Sequence, residues 1–189
     1  MMDGLRKSPL PSSQRLLYER LQACDARAFF SYRSHPDVTL WQPWAPEGLT
    51  EARAFIHENN KVAMGTPGEW VQLGLFRRDG GQLIGDCGIH FLHKQPSQVE
   101  IGITIAPQYQ RQGYGGECVQ ALLQFTFEEL RKHRLIASVD PDNTASVAMM
   151  RSAGMRQEAH HVRSFWFRGR WADDLVFAML AEEWRERQN

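Results

Sequence analysis

An α/β fold is predicted by three observations: apolar strand-like runs bounded by turn residues in the middle of the chain, helical spacing of apolar residues elsewhere, and a glycine-rich turn joining a strand to a long helix between residues 98 and 130. The length of 189 residues suits one sizeable core and is short for two. We expect 15–187 to form a single domain behind a flexible lead-in over 1–14, where Pro9, Pro11, Ser12 and Ser13 favour loose, extended backbone.

Composition narrows the function classes. Formal charges cancel, 22 Lys and Arg against 22 Asp and Glu, and they are mixed along the sequence. That leaves no broad positive field for a nucleic-acid backbone or an anionic membrane, so neither is expected as a partner. No stretch near the N-terminus is apolar for the length of a signal peptide or a membrane span. Cys24, Cys87 and Cys118 are odd in number, widely spaced and without a CxxC pair, which suggests neither a disulfide framework nor a zinc site and suits a reducing cytoplasm.

Taken in order, Arg15 to Leu21 carries enough apolar and aromatic character for a strand, and Asp25 is placed to cap a helix bearing Ala28, Phe29 and Tyr32. Two prolines keep Trp41-Gln42-Pro43-Trp44-Ala45-Pro46 out of regular helix, so this loop holds two large aromatics. Thr50 opens a second helix, with Ala52, Phe55 and Ile56 at helical spacing and Glu51 suiting the helix dipole. Trp70 to Arg77 and Gln82 to Phe91 read as a hairpin turning at Asp79-Gly80-Gly81. From Gln98 to Ile105 the alternation puts Val99, Ile101, Ile103 and Ile105 on one face and Glu100, Gly102 and Thr104 on the other, and Pro107 ends the strand.

The stretch Gln110-Arg111-Gln112-Gly113-Tyr114-Gly115-Gly116 follows that strand and opens a helix whose Val119, Leu122, Leu123, Phe127 and Leu130 keep a 3.6 period. A helix start fixed against a sheet presents unpaired N–H groups with the dipole behind them. Glycines let phosphate oxygens approach those groups, and Arg111 adds charge at the mouth. No Lys follows the glycines as a Walker loop requires, and Cys118 stands where a dinucleotide fingerprint needs its third glycine. A ligand-free turn would explain a glycine cluster taken alone. A second segment supplies context: a short strand over Leu135 to Val139, a turn at Asp140-Pro141-Asp142-Asn143, and a helix from about Thr144 to a Gly154 cap. Asn143 is the natural N-cap, with Ser146 one turn on.

These residues together resemble the GNAT superfamily of N-acetyltransferases. The signature Gln/Arg-x-x-Gly-x-Gly/Ala is matched by Gln110 to Gly115, and Asn143-x-x-Ser146 with Gly154-Met155 resembles the Asn-x-x-Ser and Gly-Phe pair, Met155 standing in for Phe. Val99 to Pro107, Arg168 to Asp174 and Ala181-Glu-Glu-Trp184 look like the RimJ/RimL-like branch, which acetylates ribosomal-protein N-termini. The resemblance runs from about Arg15 to Trp184. It implies a mixed, mostly antiparallel sheet of about six to seven strands flanked by helices, with two central strands splaying apart after 99–105. It also implies direct transfer from acetyl-coenzyme A to a primary amine, on a protein N-terminus or a small molecule, within a ternary complex. Ile103, Thr104 and Ile105 would then meet pantetheine, and Gln110, Arg111, Gln112, Gly113, Tyr114, Gly115 and Gly116 the diphosphate. Asn143 and Ser146 would face the reactive end. A homodimer is compatible with this reading.

Such a reaction needs a neutral amine, a donor for the developing oxyanion and a proton for the thiolate. A backbone N–H near Ile103 or Thr104 suits the oxyanion. Glu100 is the first candidate base, since burial on the face of Gly102 and Thr104 would disfavour its charged form; a structural carboxylate paired with an Arg is the alternative. Glu158 is a second choice. The family often places a Tyr where Met150 stands, which leaves Ser146, or solvent, as the acid, while Tyr114 is expected to face solvent or adenine. Trp41 and Trp44 are expected to line the acceptor pocket, the alternative being a cap on the core. Neither His90 with His93 nor His160 with His161 suggests a metal, because strand spacing separates each pair. The missing Tyr also motivates an alternative function, an acyl-coenzyme A sensor without transfer.

Overall fold

The computed structural model describes residues 10–188. Its strands are β1 (Leu16–Glu19), β2 (Trp70–Arg77), β3 (Leu83–Phe91), β4 (Gln98–Ile105), β5 (Arg134–Val139), β6 (Arg156–Phe167) and β7 (Arg170–Leu180). The helices are α1 (Ala26–Arg33), α2 (Pro36–Thr39), α3 (Leu49–Lys61), α4 (Tyr114–Gln124), α5 (Thr144–Ser152) and α6 (Ala181–Glu186). The strands make one mixed sheet in the order β1-β2-β3-β4-β5-β7-β6, in which β4 with β5 is the parallel pair and all other neighbours are antiparallel.

Period-two patterning decides which face is covered. Val99 and Ile101 of β4 are buried in one cluster with Cys118, Val119, Leu122 and Leu123 of α4 and with Leu135 and Phe177. A second cluster joins Phe29 and Tyr32 of α1 to Ala52 and Ile56 of α3. The helix begun at Tyr114 runs on into one widened turn over Phe125–Glu129, where the Leu130 N–H reaches back to Phe125 O at 2.9 Å.

Two local expectations differ. The first strand is shorter than Arg15 to Leu21. Asp25 does not cap α1: its backbone is already helical, and its carboxylate accepts the Gln22 N–H at 2.7 Å, closing a 3-10 turn that precedes the helix. Of the lead-in expected over 1–14, residues 1–9 lie outside the described ones, and Ser12 bridges to Leu17 in antiparallel fashion.

The feature that positions the site is a parting of the central strands. β4 and β5 pair only at Gln98 with Arg134, Val99 with Leu135 and Glu100 with Ile136. Beyond that rung each strand is held by its outer neighbour, β4 by β3 as far as Ile105 with Gly85, and β5 by β7 as far as Val139 with Leu175. The sheet therefore opens in the middle without either strand losing its other ladder, and main-chain groups of β4 past Glu100 face a gap. Register also places Trp70, His90, Glu100 and Ile136 on one rung and Gln72, Gly88 and Gly102 on the next.

Candidate active site

A cleft of about 780 Å³ lies over this gap. Glu100, Gly102, Ile103 and Thr104 of β4 and Ala137 and Ser138 of β5 form its floor, Asn143 and Ser146 one rim, and Trp41, Trp44 and Trp70 the opposite wall. Phe165, Phe167, His161 and Asp174 close the side toward β6 and β7. The sequence-predicted residues Glu100, Ile103, Thr104, Asn143, Ser146, Trp41 and Trp44 thus come together. The glycine turn adjoins the cleft through Met149: a Cβ added at Gly115 would lie 2.7 Å from Met149 Sδ and 3.9 Å from Ile105 Cγ1.

Within the turn the residues divide their work. Gly113 sits at φ +82°, a left-handed position that suits glycine and starts α4. Gly115 allows α4 to approach α5. A Cβ at Gly116 would meet nothing within 4 Å, so its backbone is open. The first intrahelical donor is Glu117, whose N–H meets Gly113 O at 3.1 Å; the amides of Tyr114, Gly115 and Gly116 have no hydrogen-bond acceptor among the described residues. Arg111, also left-handed at φ +60°, is exposed and makes no ion pair among the described residues. Gln110 turns its side chain back to Ile105 O at 2.9 Å, and Gln112 turns back to Gln108 O at 3.0 Å. These two bonds strap the turn.

Tyr114 corrects an expectation. It is buried, with the Arg15 guanidinium 4.4 Å from its ring centroid, and faces neither solvent nor an open groove. Arg15 also donates to Gln112 O at 3.0 Å and to Glu117 at 2.6 Å, and so braces the turn from behind. Nothing in the local sequence around Arg15 signals this role, because its partners Gln112 and Glu117 lie far along the chain.

Asn143 caps α5 as expected, its Oδ1 accepting the Ser146 N–H at 3.1 Å. Glu100 contacts His90, Oε2 to Nδ1 at 3.3 Å, and not an arginine. His90 in turn stacks on Trp70 with ring centroids 4.9 Å apart. Trp70 lies over the glycine rung, where a Cβ on Gly88 would come within 2.7 Å of it. Trp44 lines the cleft, and it also stacks on Phe55 at 4.7 Å while donating to Glu51 at 3.2 Å. Met150 is buried and lines the cleft, so no phenol stands at that position.

The second-choice base is misplaced. Glu158 lies outside the cleft lining, and hydrogen bonds from Arg134, then Arg156, hold its carboxyl down at about 2. So weakly basic a carboxylate takes up no proton near neutral pH. Asp174 was not anticipated. It reaches the cleft because β5 and β7 are adjacent, and it accepts a hydrogen bond from Ser138 Oγ at 2.5 Å. No group of three or more His, Cys, Asp or Glu able to hold a metal ion occurs among the described residues, and no described helix is long and apolar enough to cross a membrane.

Comparison with known proteins agrees with this architecture. The family model described as the acetyltransferase (GNAT) domain matches residues 15–156. The uncharacterised N-acetyltransferase YnaD of Bacillus subtilis is 31% identical over 176 residues, spanning 92% of this chain and 98% of that one. A GNAT-family acetyltransferase of Bacillus anthracis superposes with a TM-score of 0.82 at 28% identity, covering 92% of this chain and 99% of that chain. The spermidine N-acetyltransferase of Vibrio cholerae, solved in complex with CoA and spermine, shares the fold at a TM-score of 0.76 and 19% identity over 90% of this chain and 98% of that chain. With its sheet parted between β4 and β5, its free-amide turn at the start of α4, and a family match over most of its length, the chain belongs to the GNAT family of N-acetyltransferases.

Proposed function

We propose that the chain moves an acetyl group from acetyl-CoA directly to a primary amine, both being held at once in the cleft. The observation that carries this reading is the gap beyond the Glu100–Ile136 rung ending beside a helix start with three unsatisfied amides. The residues fit the carrier: open backbone at Gly116, the amides of Tyr114 to Gly116 and the exposed Arg111 suit a diphosphate, and the backbone over Ile103 to Ile105, paired with β3 but not with β5, suits an amide-bearing arm. The fold-mate from Vibrio cholerae, solved with CoA, supports that choice. When bound, acetyl-CoA would supply an acetyl group activated as a thioester.

The chain's own residues then have separable tasks. Glu100, oriented by His90, takes the proton from the incoming ammonium, directly or through a water. A β4 amide near Ile103 or Thr104 faces the oxygen that gains charge. Ser146 stands at the rim as proton donor toward the thiolate, with solvent as the alternative. Trp41, Trp44 and Trp70 give the amine an apolar wall and exclude water.

The finer assignments rest on sequence resemblance. The segments 99–107, 168–174 and 181–184 support the RimJ/RimL-like branch, and with it a protein N-terminus beside small amines as acceptors. We further propose a single domain over 15–187, a cytoplasmic setting and a homodimer, for which the exposed Val162, Trp166 and Trp171 of β6 and β7 offer an apolar strip. The buried Met150 favours a second reading, an acyl-CoA sensor. A thiol-release screen over amines and peptides tests both. Release above background with any acceptor supports transfer, whereas acetyl-CoA binding with background release across the panel supports the sensor.

A further inference from the structure

The loop bearing Trp41 and Trp44 has no regular secondary structure, yet it is tethered from below by a buried polar network. Asp86 of β3 is 0% exposed and accepts from Tyr32 Oη at 2.6 Å, from Arg33 Nε at 2.9 Å, and from Arg33 Nη2 and Gln72 Nε2. Burial alone would depress the Arg33 cation, but Asp86 more than offsets this and holds it above its ordinary value. A charged pair so desolvated and so fully bonded is rigid, because moving either partner strands the other in a low dielectric.

Arg33 passes that rigidity upward. Its remaining donor, Nη1, reaches Gln42 Oε1 at 3.3 Å, and Gln42 Nε2 donates to Thr104 Oγ1 at 3.1 Å. Both ends of one amide are therefore used, one on α1 and the other on β4 within the gap. Gln42 lies between the two tryptophans in sequence, and Thr104 neighbours Ile103 on the floor of the cleft. We propose that Gln42 is a positioning residue: its amide, clamped between Arg33 and Thr104, sets the height of the Trp41–Trp44 wall above β4 and so registers the incoming amine with the acyl donor. This deepens the transferase reading and rests on it. It also gives Gln42 a role that neither its loop position nor its type discloses.

The test uses the full chain with Gln42→Ala, Gln42→Glu, Thr104→Val and the double variant Gln42→Ala/Thr104→Val. Acetyl-CoA is the donor, and 1,4-diaminobutane and a serine-initiated hexapeptide are the acceptor probes. Gln42→Ala is expected to raise the acceptor KM about fivefold or more while leaving the acetyl-CoA KM and the thermal midpoint unchanged. Gln42→Glu should restore the wild-type value, since its carboxylate accepts from Arg33 and from the Thr104 hydroxyl. The double variant should have the acceptor KM of Gln42→Ala alone, because the one bond that Thr104→Val removes is already lost with the Gln42 amide. An unchanged acceptor KM in Gln42→Ala, or additive effects in the double variant, would overturn the proposal. Amide exchange over residues 41–46 gives a readout independent of turnover. A roughly tenfold acceleration in both single variants supports the tether, and wild-type exchange sinks it. If the wild-type chain acetylates neither probe, the amine-transfer reading is what fails, and exchange still decides the role of Gln42.

Discussion

Beside the cleft, main-chain amides and permissive backbone come from a single contiguous stretch, 110–116, while the part of the lining proposed to hold the acceptor takes Trp41 and Gln42 from a loop, Trp70 from β2, Glu100 from β4 and Asp174 from β7. The first region is built from backbone geometry, which neighbouring residues set for themselves. The second is built from side chains brought together by strand register and by the Asp86 network. A contiguous backbone site tolerates change elsewhere in the fold, whereas an assembled side-chain site depends on every element that contributes to it. The two regions should therefore fail in different ways.

The largest effect is expected at the root of the acceptor region. Asp86→Asn leaves the Arg33 cation buried without its counter-charge and should lower stability by about 3–5 kcal/mol in denaturant unfolding. A loss under 1 kcal/mol would mean that the network is not what holds α1 and the loop to the sheet. Gly113→Val attacks the other region. A branched residue at φ +82° is strained, and its Cβ would press on Arg15 Nη2 at 3.3 Å, so CoA affinity by calorimetry should fall more than a hundredfold. Wild-type affinity in that variant would remove the anion-binding reading of the turn.

Glu100→Gln should spare CoA affinity and slow turnover by about a hundredfold, with loss of the acidic limb of the pH–rate profile. A profile of unchanged shape would direct attention to Asp174. Trp70→Ala removes the ring over Gly88 and should raise the acceptor KM several-fold with little change in kcat, a difference that steady-state kinetics with varied amine would detect. The smallest effect is expected outside the cleft. The Glu158 carboxyl is held near 2, below its ordinary 4.5, so the stability it contributes is present above about pH 4.5 and is lost as pH falls toward 2. Glu158→Gln should leave activity at pH 7 unaltered and flatten acid unfolding across that window. A loss of activity at pH 7 would return Glu158 to the list of catalytic candidates.

What could be read in advance follows the same division. Asn143 as N-cap and Gly154 as the left-handed residue ending α5 follow from neighbouring letters, and both are found, with Gly154 at φ +80°. Strand β4 has the bounds that alternation marked, and β2 those of the apolar-rich run before the Asp79-Gly80-Gly81 turn. Asp25 misled because a 3-10 turn took its carboxylate first, a contest between two local bonds that composition does not rank. Tyr114 misled because Arg15 arrives over its ring from β1's side of the molecule. His90 as the partner of Glu100 depends on the register of β3 against β4, which a one-residue slip would abolish.

By itself the sequence determined the β2–β3 hairpin, β4, the glycine-rich helix start and the capped helix after β5, because those depend on φ preferences and hydrogen bonds within a few residues. Only the tertiary structure decided where β4 and β5 part, which carboxylates reach the gap, and how Asp86, Arg33 and Gln42 suspend the aromatic loop above it. Those outcomes follow from which ladders close and which buried charges find partners, and both are settled between segments far apart in the chain.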